Sequence, residues 1–180
     1  MRLTLIKLSF FLAIITASCS KEKECDDPID CLPPISQTGA NTAGCLVNGK
    51  ALVPGGRGLN TGSVLFVQYK YSDDDDSVFG LNIVNRTSGK SKMMFIEVRN
   101  EKLVEGQMYE LKSEDSHSLA SYNDLHLGGF VTSDEHRGEL HISKLDTEKR
   151  IVSGTFWFDA VDKEGEEIVE IRNGRFDVIY

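Results

Sequence analysis

A chain of 180 residues with 28 acidic and 20 basic side chains carries a formal net charge of −8. That balance argues against nucleic acid or an anionic lipid surface as a partner, because both need clustered Lys and Arg. The length suits one domain with a leader and a linker, and no apolar run past the N-terminus approaches the roughly 20 residues of a membrane-spanning helix.

The chain opens with Arg2 and Lys7, then the apolar run Leu8 to Ile15, interrupted only by Ser9. A basic start followed by an apolar stretch too short to span a bilayer makes residues 1–18 a signal peptide. Thr16-Ala17-Ser18-Cys19 resembles the bacterial lipobox, with Thr16 where Leu is usual. The Cys19 thiol is therefore expected to be acylated, with palmitate among its chains, because several acyl chains are needed for a stable anchor. The expected location is the outer membrane, on its periplasmic or its cell-surface face. Ser20-Lys21-Glu22-Lys23-Glu24 resembles a surface-export signal of Bacteroidota lipoproteins and suits a plain solvated spacer equally well. Losing Arg2 and Lys7 with the leader takes the net charge to −10.

Residues 19–40 read as the acylated cysteine and a flexible tether, since they hold few large apolar groups to offset the entropy of ordering. The domain is expected over 41–180. Besides Cys19 there are Cys25, Cys31 and Cys45, an odd number in a disulfide-permissive compartment. Cys25 with Cys31 would staple the tail locally, whereas Cys31 with Cys45 would tie it to the domain. The first pairing is preferred because Cys45 opens an apolar strand and can sit buried as a small hydrophobe.

From there short apolar runs alternate with turn residues. Cys45 to Val47 and Ala51 to Val53 flank Asn48-Gly49, a pair that tolerates the positive φ angles of a tight hairpin. Val64 to Tyr71 and Val78 to Val84 flank the Asp73–Asp76 loop, and Thr87 to Lys90 turns into Met93 to Val98. Residues 100–106 suit a loop or one helical turn, Met108 to Leu111 a short strand, and Ser113 to Ser121 an irregular polar stretch. Leu125 to Val131, Glu139 to Leu145, Ile151 to Val161 and Glu167 to Tyr180 complete the set, the last with a bend or bulge at Arg172-Asn173-Gly174. The pattern predicts an all-β domain, a single antiparallel β-sandwich or barrel of about nine or ten strands.

Three stretches carry a family resemblance. They are Leu32-Pro33-Pro34-Ile35-Ser36-Gln37-Thr38-Gly39-Ala40-Asn41-Thr42-Ala43-Gly44-Cys45-Leu46-Val47-Asn48-Gly49-Lys50, then Gly154-Thr155-Phe156-Trp157-Phe158-Asp159-Ala160, then Asn173-Gly174-Arg175-Phe176-Asp177-Val178. Together they resemble the DUF6252-type lipoproteins of flavobacteria and their relatives, a family of uncharacterised function. The resemblance implies a lipid anchor and an all-β domain and transfers no active-site residue.

The candidate chemistry is sparse. Phe156, Phe158 and Ala160 share one strand face, so Trp157 lies on the other with Thr155 and Asp159. An indole there could be a sugar-stacking platform, with Tyr122 as a second aromatic if both are exposed in one concavity. Packing under a loop is the competing role. Asp73–Asp76 supplies carboxylates that calcium favours, but without the ligand spacing of a calcium loop. His117, His126, His136 and His141 could suggest a metal, and Glu139 and His141 share a strand face, yet no third ligand can be named and no CxxC is present. No nucleophile elbow or paired-carboxylate motif occurs. The expectation is a non-enzymatic outer-membrane module without cofactor or metal, binding a glycan or an envelope protein. A structural envelope component is the alternative, and a hydrolase comes third.

Overall fold

The computed structural model describes residues 25–56, 62–71, 77–87, 91–113 and 117–180. The leader, Cys19 and the Asp73–Asp76 loop lie outside the described residues. Eleven strands follow a one-turn 3-10 helix at Pro28–Cys31: β1 (Thr42–Val47), β2 (Lys50–Leu52), β3 (Leu65–Lys70), β4 (Val78–Asn85), β5 (Lys92–Arg99), β6 (Met108–Leu111), β7 (Ser118–Asp124), β8 (Gly128–Val131), β9 (Gly138–Asp146), β10 (Ile151–Asp162) and β11 (Ile168–Ile179). The fold is all-β, as the alternation predicts. One antiparallel sheet holds every strand and is not closed into a barrel.

The pivot of the sheet is β10. One of its edges carries β11 from Ile151 opposite Ile179 to Val161 opposite Ile168. The other edge is shared, with β9 along Ile151 to Phe158 and β8 at Val161 and Asp162. The sheet forks there, one arm running β8-β7-β5-β4-β3 and the other through β9 to β6. Both arms turn their apolar sides onto one core. Phe79 of β4 meets Phe176 of β11 with ring centroids 5.9 Å apart, and Tyr69 of β3 meets Tyr180 edge-on at 5.2 Å. Leu81, Ile83, Met94, Ile96, Leu140 and Phe158 are fully buried between them. Each such side chain contributes roughly 1.5–3 kcal/mol relative to exposure.

Asn48 and Gly49 both adopt positive φ, 47° and 76°, and make the β1–β2 hairpin. The Arg172-Asn173-Gly174 bulge is present too: Phe156 pairs with Gly174 and Phe158 with Ile171, so β11 has one residue too many opposite Trp157. Asn173, at φ 53°, is in the left-handed region that asparagine tolerates.

Three sequence expectations change. Ser113 to Ser121 is not irregular throughout, because Ser118–Asp124 is strand β7, paired with β5 from Lys92 opposite Asp124 to Val98 opposite Ser118. Its core-facing positions are Ser118, Ala120, Tyr122 and Asp124, so small and polar residues hide the alternation. Leu125 and Leu127, expected in a strand, are exposed in the turn before β8. The added β7 brings the strands among the described residues to eleven, where about nine or ten are expected.

The third change concerns the tether. Residues 25–40 lie along the domain, with Cys25 disulfide-bonded to Cys31 and Leu32 buried. Asp177 on β11 gathers the strand-less segment. Its Oδ2 accepts from Ser36 Oγ (2.6 Å) and from the backbone N–H groups of Thr38 (2.9 Å) and Ala40 (3.1 Å). Its Oδ1 accepts from Gly39 N–H (2.7 Å) and Ser153 Oγ (2.8 Å). A low count of apolar residues predicts poor burial, but here one buried carboxylate supplies acceptors for the donors of a whole loop.

Candidate functional site

The most distinctive surface is the outer face of β6, β9, β10 and β11. Pairing aligns two rows of side chains across it. Met108, His141, Thr155 and Arg175 form one row, opposite one another strand by strand. Glu110, Glu139 and Trp157 form the next, ending at the β11 bulge with Arg172. These residues alternate with buried Tyr109, Leu140, Phe156 and Phe176, so the core fixes the outward direction of their neighbours.

Trp157 is 39% exposed. Its indole N–H donates to Glu139 Oε2 at 3.1 Å, and the Arg172 guanidinium lies 5.6 Å from its ring centroid. Arg172 is itself held by Asp159 (2.6 Å), by Glu170 (3.5 Å) and by the Phe158 and Ile171 carbonyls. The ring is therefore oriented from two sides, a rigid aromatic surface that loses little entropy when something stacks on it. A groove of about 750 Å³ runs beside it, floored by Thr155, Phe156 and Gly174 and edged by Ile35, Met108, His141 and Arg175. A smaller one of about 370 Å³ reaches toward Glu110 and Arg137. Hydrogen bonds from Lys112 and then Arg137 hold the Glu110 carboxyl below the usual carboxylate range.

Tyr122 is not part of this surface. It is 1% exposed, on the core side of β7, where its hydroxyl donates to Asp124 Oδ2 at 3.3 Å. Burial, and then the neighbouring carboxylate, push the Tyr122 hydroxyl up. Burial opposes ionisation of Asp124 as well, but the His126 N–H and the Tyr122 hydroxyl outweigh it and lower its carboxyl. Because β7 was not recognisable as a strand, the parity that turns Tyr122 inward could not be read. The two aromatics of the expected concavity are thus separated, one outside and one inside.

The histidines do not converge on a metal site. His136 Nδ1 is 3.2 Å from Ser133 Oγ in the β8–β9 turn, His126 is in the β7–β8 turn and His117 precedes β7. No group of three or more His, Cys, Asp and Glu able to hold a metal ion occurs among the described residues. Cys45 is a buried free thiol, and burial pushes it up to about 12. No helix among the described residues is long and apolar enough to cross a membrane.

Arg172, Arg175 and Met108 carried no sequence signal, since their place on this face depends on which strands pair. Glu139 and His141 were readable as face partners from their i, i+2 spacing alone.

Gly154 to Ala160 and Asn173 to Val178 form the β10–β11 pair that builds this face and the core beneath it, and a family match covers both. Residues 80–179, from β4 to the end of β11, match the domain of unknown function DUF6252. The chain belongs to the DUF6252 family. The matched span contains the whole four-strand face, while Leu32 to Lys50 precedes it. No curated protein and no solved structure matches the chain. Membership in DUF6252 establishes kinship and assigns no activity.

Proposed function

We propose that the chain is a lipid-anchored outer-membrane protein whose β domain is a non-enzymatic sugar-binding module, with Trp157 as the stacking platform. The observation that supports it is the half-exposed indole, pinned by Glu139 and Arg172 at the wall of an open groove. A flat aromatic face takes the C–H side of a pyranose, and flanking charged groups bond its hydroxyls. Titration with a panel of oligosaccharides should give binding that disappears in Trp157→Ala while the melting temperature stays within a few degrees. Unchanged binding in that variant, or loss only together with the fold, overturns the reading.

The anchor reading rests on Cys19. With Cys25 already fastened to the domain, the chain from Cys19 to Cys25 reaches at most roughly 20 Å. Such a tether holds the domain close to the bilayer. Metabolic labelling with palmitate should mark the wild type and leave Cys19→Ala unlabelled, and an unlabelled wild type rejects the anchor.

A second reading, a structural envelope component, draws on β3. Among the described residues Leu65–Lys70 pairs only with β4, and Phe66 is 53% exposed. An edge of this kind can accept another chain's strand. If so, Phe66→Lys should abolish self-association or crosslinking to envelope proteins, and a monomer that captures nothing argues against it.

A further inference from the structure

We infer that the groove beside Trp157 selects a sugar bearing a carboxylate, a uronic acid, and that Arg175 receives the acid. The inference rests on the sugar-binding reading above and goes beyond it by naming the ligand's charge.

The cations of this face are mostly spoken for. Arg172 has Asp159 at 2.6 Å and Glu170 at 3.5 Å, and Arg137 has Glu110 at 2.7 Å. Lys112 shares Glu110 at 2.6 Å. Arg175 differs. Its Nε donates to the Asn173 carbonyl at 3.2 Å and its Nη1 to the Pro33 carbonyl at 3.4 Å, and among the described residues no carboxylate lies within ion-pair reach of it. Two carbonyls fix the guanidinium against the strap and the bulge without neutralising it. Several of its five N–H donors remain available.

Thr155 stands directly opposite Arg175 on β10, and His141 directly opposite Thr155 on β9. All three line the same groove as Trp157. Facing Cβ atoms on paired strands are about 5 Å apart. A carboxylate above Thr155 therefore has a guanidinium on one side, an imidazole on the other and a hydroxyl below. Trp157 follows Thr155 by two residues on the same strand face, so the ring carrying that carboxylate is placed for the indole. Glu139, the acid lining this groove, is engaged by the Trp157 N–H and lies on the side away from Arg175, where the sugar would present hydroxyls rather than its carboxylate. A guanidinium fork matches a carboxylate in a way that a hydroxyl cannot.

The test compares oligogalacturonate with a neutral galactan oligosaccharide of equal length, by calorimetry on the folded domain. The wild type should prefer the acidic oligosaccharide, and Arg175→Gln should weaken that binding about tenfold or more while the neutral one changes less than about twofold. Arg175→Lys should fall between them, and Thr155→Val should lower only the acidic affinity. A melting curve checks that losing the Pro33 contact leaves the fold intact. If the wild type takes both sugars equally and Arg175→Gln alters neither, the charge selection is wrong and the sugar reading stands. If Trp157→Ala binds both sugars as the wild type does, or the wild type binds neither, the sugar reading fails and the selection with it.

Discussion

The Phe156 ring packs against Gly174, its partner across β10 and β11: a Cβ built on Gly174 would stand 2.4 Å from the ring. The adjacent pair repeats the relationship in the opposite sense, since Gly154 faces Phe176 and a Cβ there would come within 2.7 Å of that ring. Two phenylalanines thus cover two glycines on neighbouring strands, and the rings supply the packing that a glycine lacks in a sheet. This crossed arrangement gives a physical reason for the motifs Gly154 to Ala160 and Asn173 to Val178 to occur together. Gly174→Ala should therefore cost about 1–3 kcal/mol by overpacking. Urea unfolding of Gly174→Ala alone and combined with Phe156→Leu would check it: the smaller side chain should recover part of the loss, and full additivity would argue against the contact.

Asp177 should be the largest polar determinant of stability. Replacing it with Ala strands the donors of Ser36, Thr38, Gly39, Ala40 and Ser153, at roughly 2–4 kcal/mol. Limited proteolysis should then cut within residues 33–40, where the wild type resists.

The same carboxylate sets an acid dependence. Burial by itself would raise the Asp177 carboxyl, and the donors of Ser36, Thr38, Ser153 and Gly39 outweigh it and hold the group well below the usual range. A folded value beneath the unfolded one of about 3.9 means the stabilisation is complete above about pH 4 and is lost as pH falls. Melting temperatures followed from about pH 5 to about pH 2 should drop more steeply for the wild type than for Asp177→Asn. Parallel curves would show that the clasp does not carry this dependence.

Thiol chemistry separates the cysteines. In mature chain with Cys19→Ser, Cys45 is the only free thiol among Cys25, Cys31 and Cys45. Because it is fully buried and its thiol is pushed up to about 12, it should ignore a thiol reagent at neutral pH until denaturant is added. One thiol per chain should then react, and a second appearing without reductant contradicts the Cys25–Cys31 bridge.

Tyr122 and Trp157 should part company under mutation. Tyr122→Ala empties a core position and should cost roughly 3–5 kcal/mol, Tyr122→Phe about 1, and Trp157→Ala no more than about 1. Trp157 is the single tryptophan, so its emission reports directly on the groove. Binding of a sugar should shift that emission to the blue and reduce quenching by iodide, and an unmoved spectrum at saturation would place the ligand elsewhere.

Much of this architecture is legible in the order of residues. Phe156, Phe158 and Ala160 alternate with Thr155, Trp157 and Asp159, so the inward and outward faces of β10 follow from the two-residue period of a strand. Asn48-Gly49 marks a hairpin and Asn173 a bulge because few other residues accept their positive φ, and Gly174 is needed beside Asn173 because the Phe156 ring leaves no room for a Cβ. Ser118 to Asp124 resisted the same reading, since its buried face is Ser, Ala, Tyr and Asp, a set with no apolar alternation. Residues 25–40 resisted it for another reason: composition weighs apolar area, and this segment is fastened by a disulfide and by hydrogen bonds to one carboxylate 137 residues away from Ala40.

Sequence alone therefore determined the all-β class and the two faces of β10, with Trp157 opposite the core-facing Phe156 and Phe158, because each depends on neighbours within a few positions. Only the tertiary structure decided that Tyr122 is interior, that Asp177 holds the N-terminal strap, and that Arg175, Thr155 and His141 stand in one row beside the indole. Those relationships join strands far apart in the chain, and register across a forked sheet is set by the packing of the whole core.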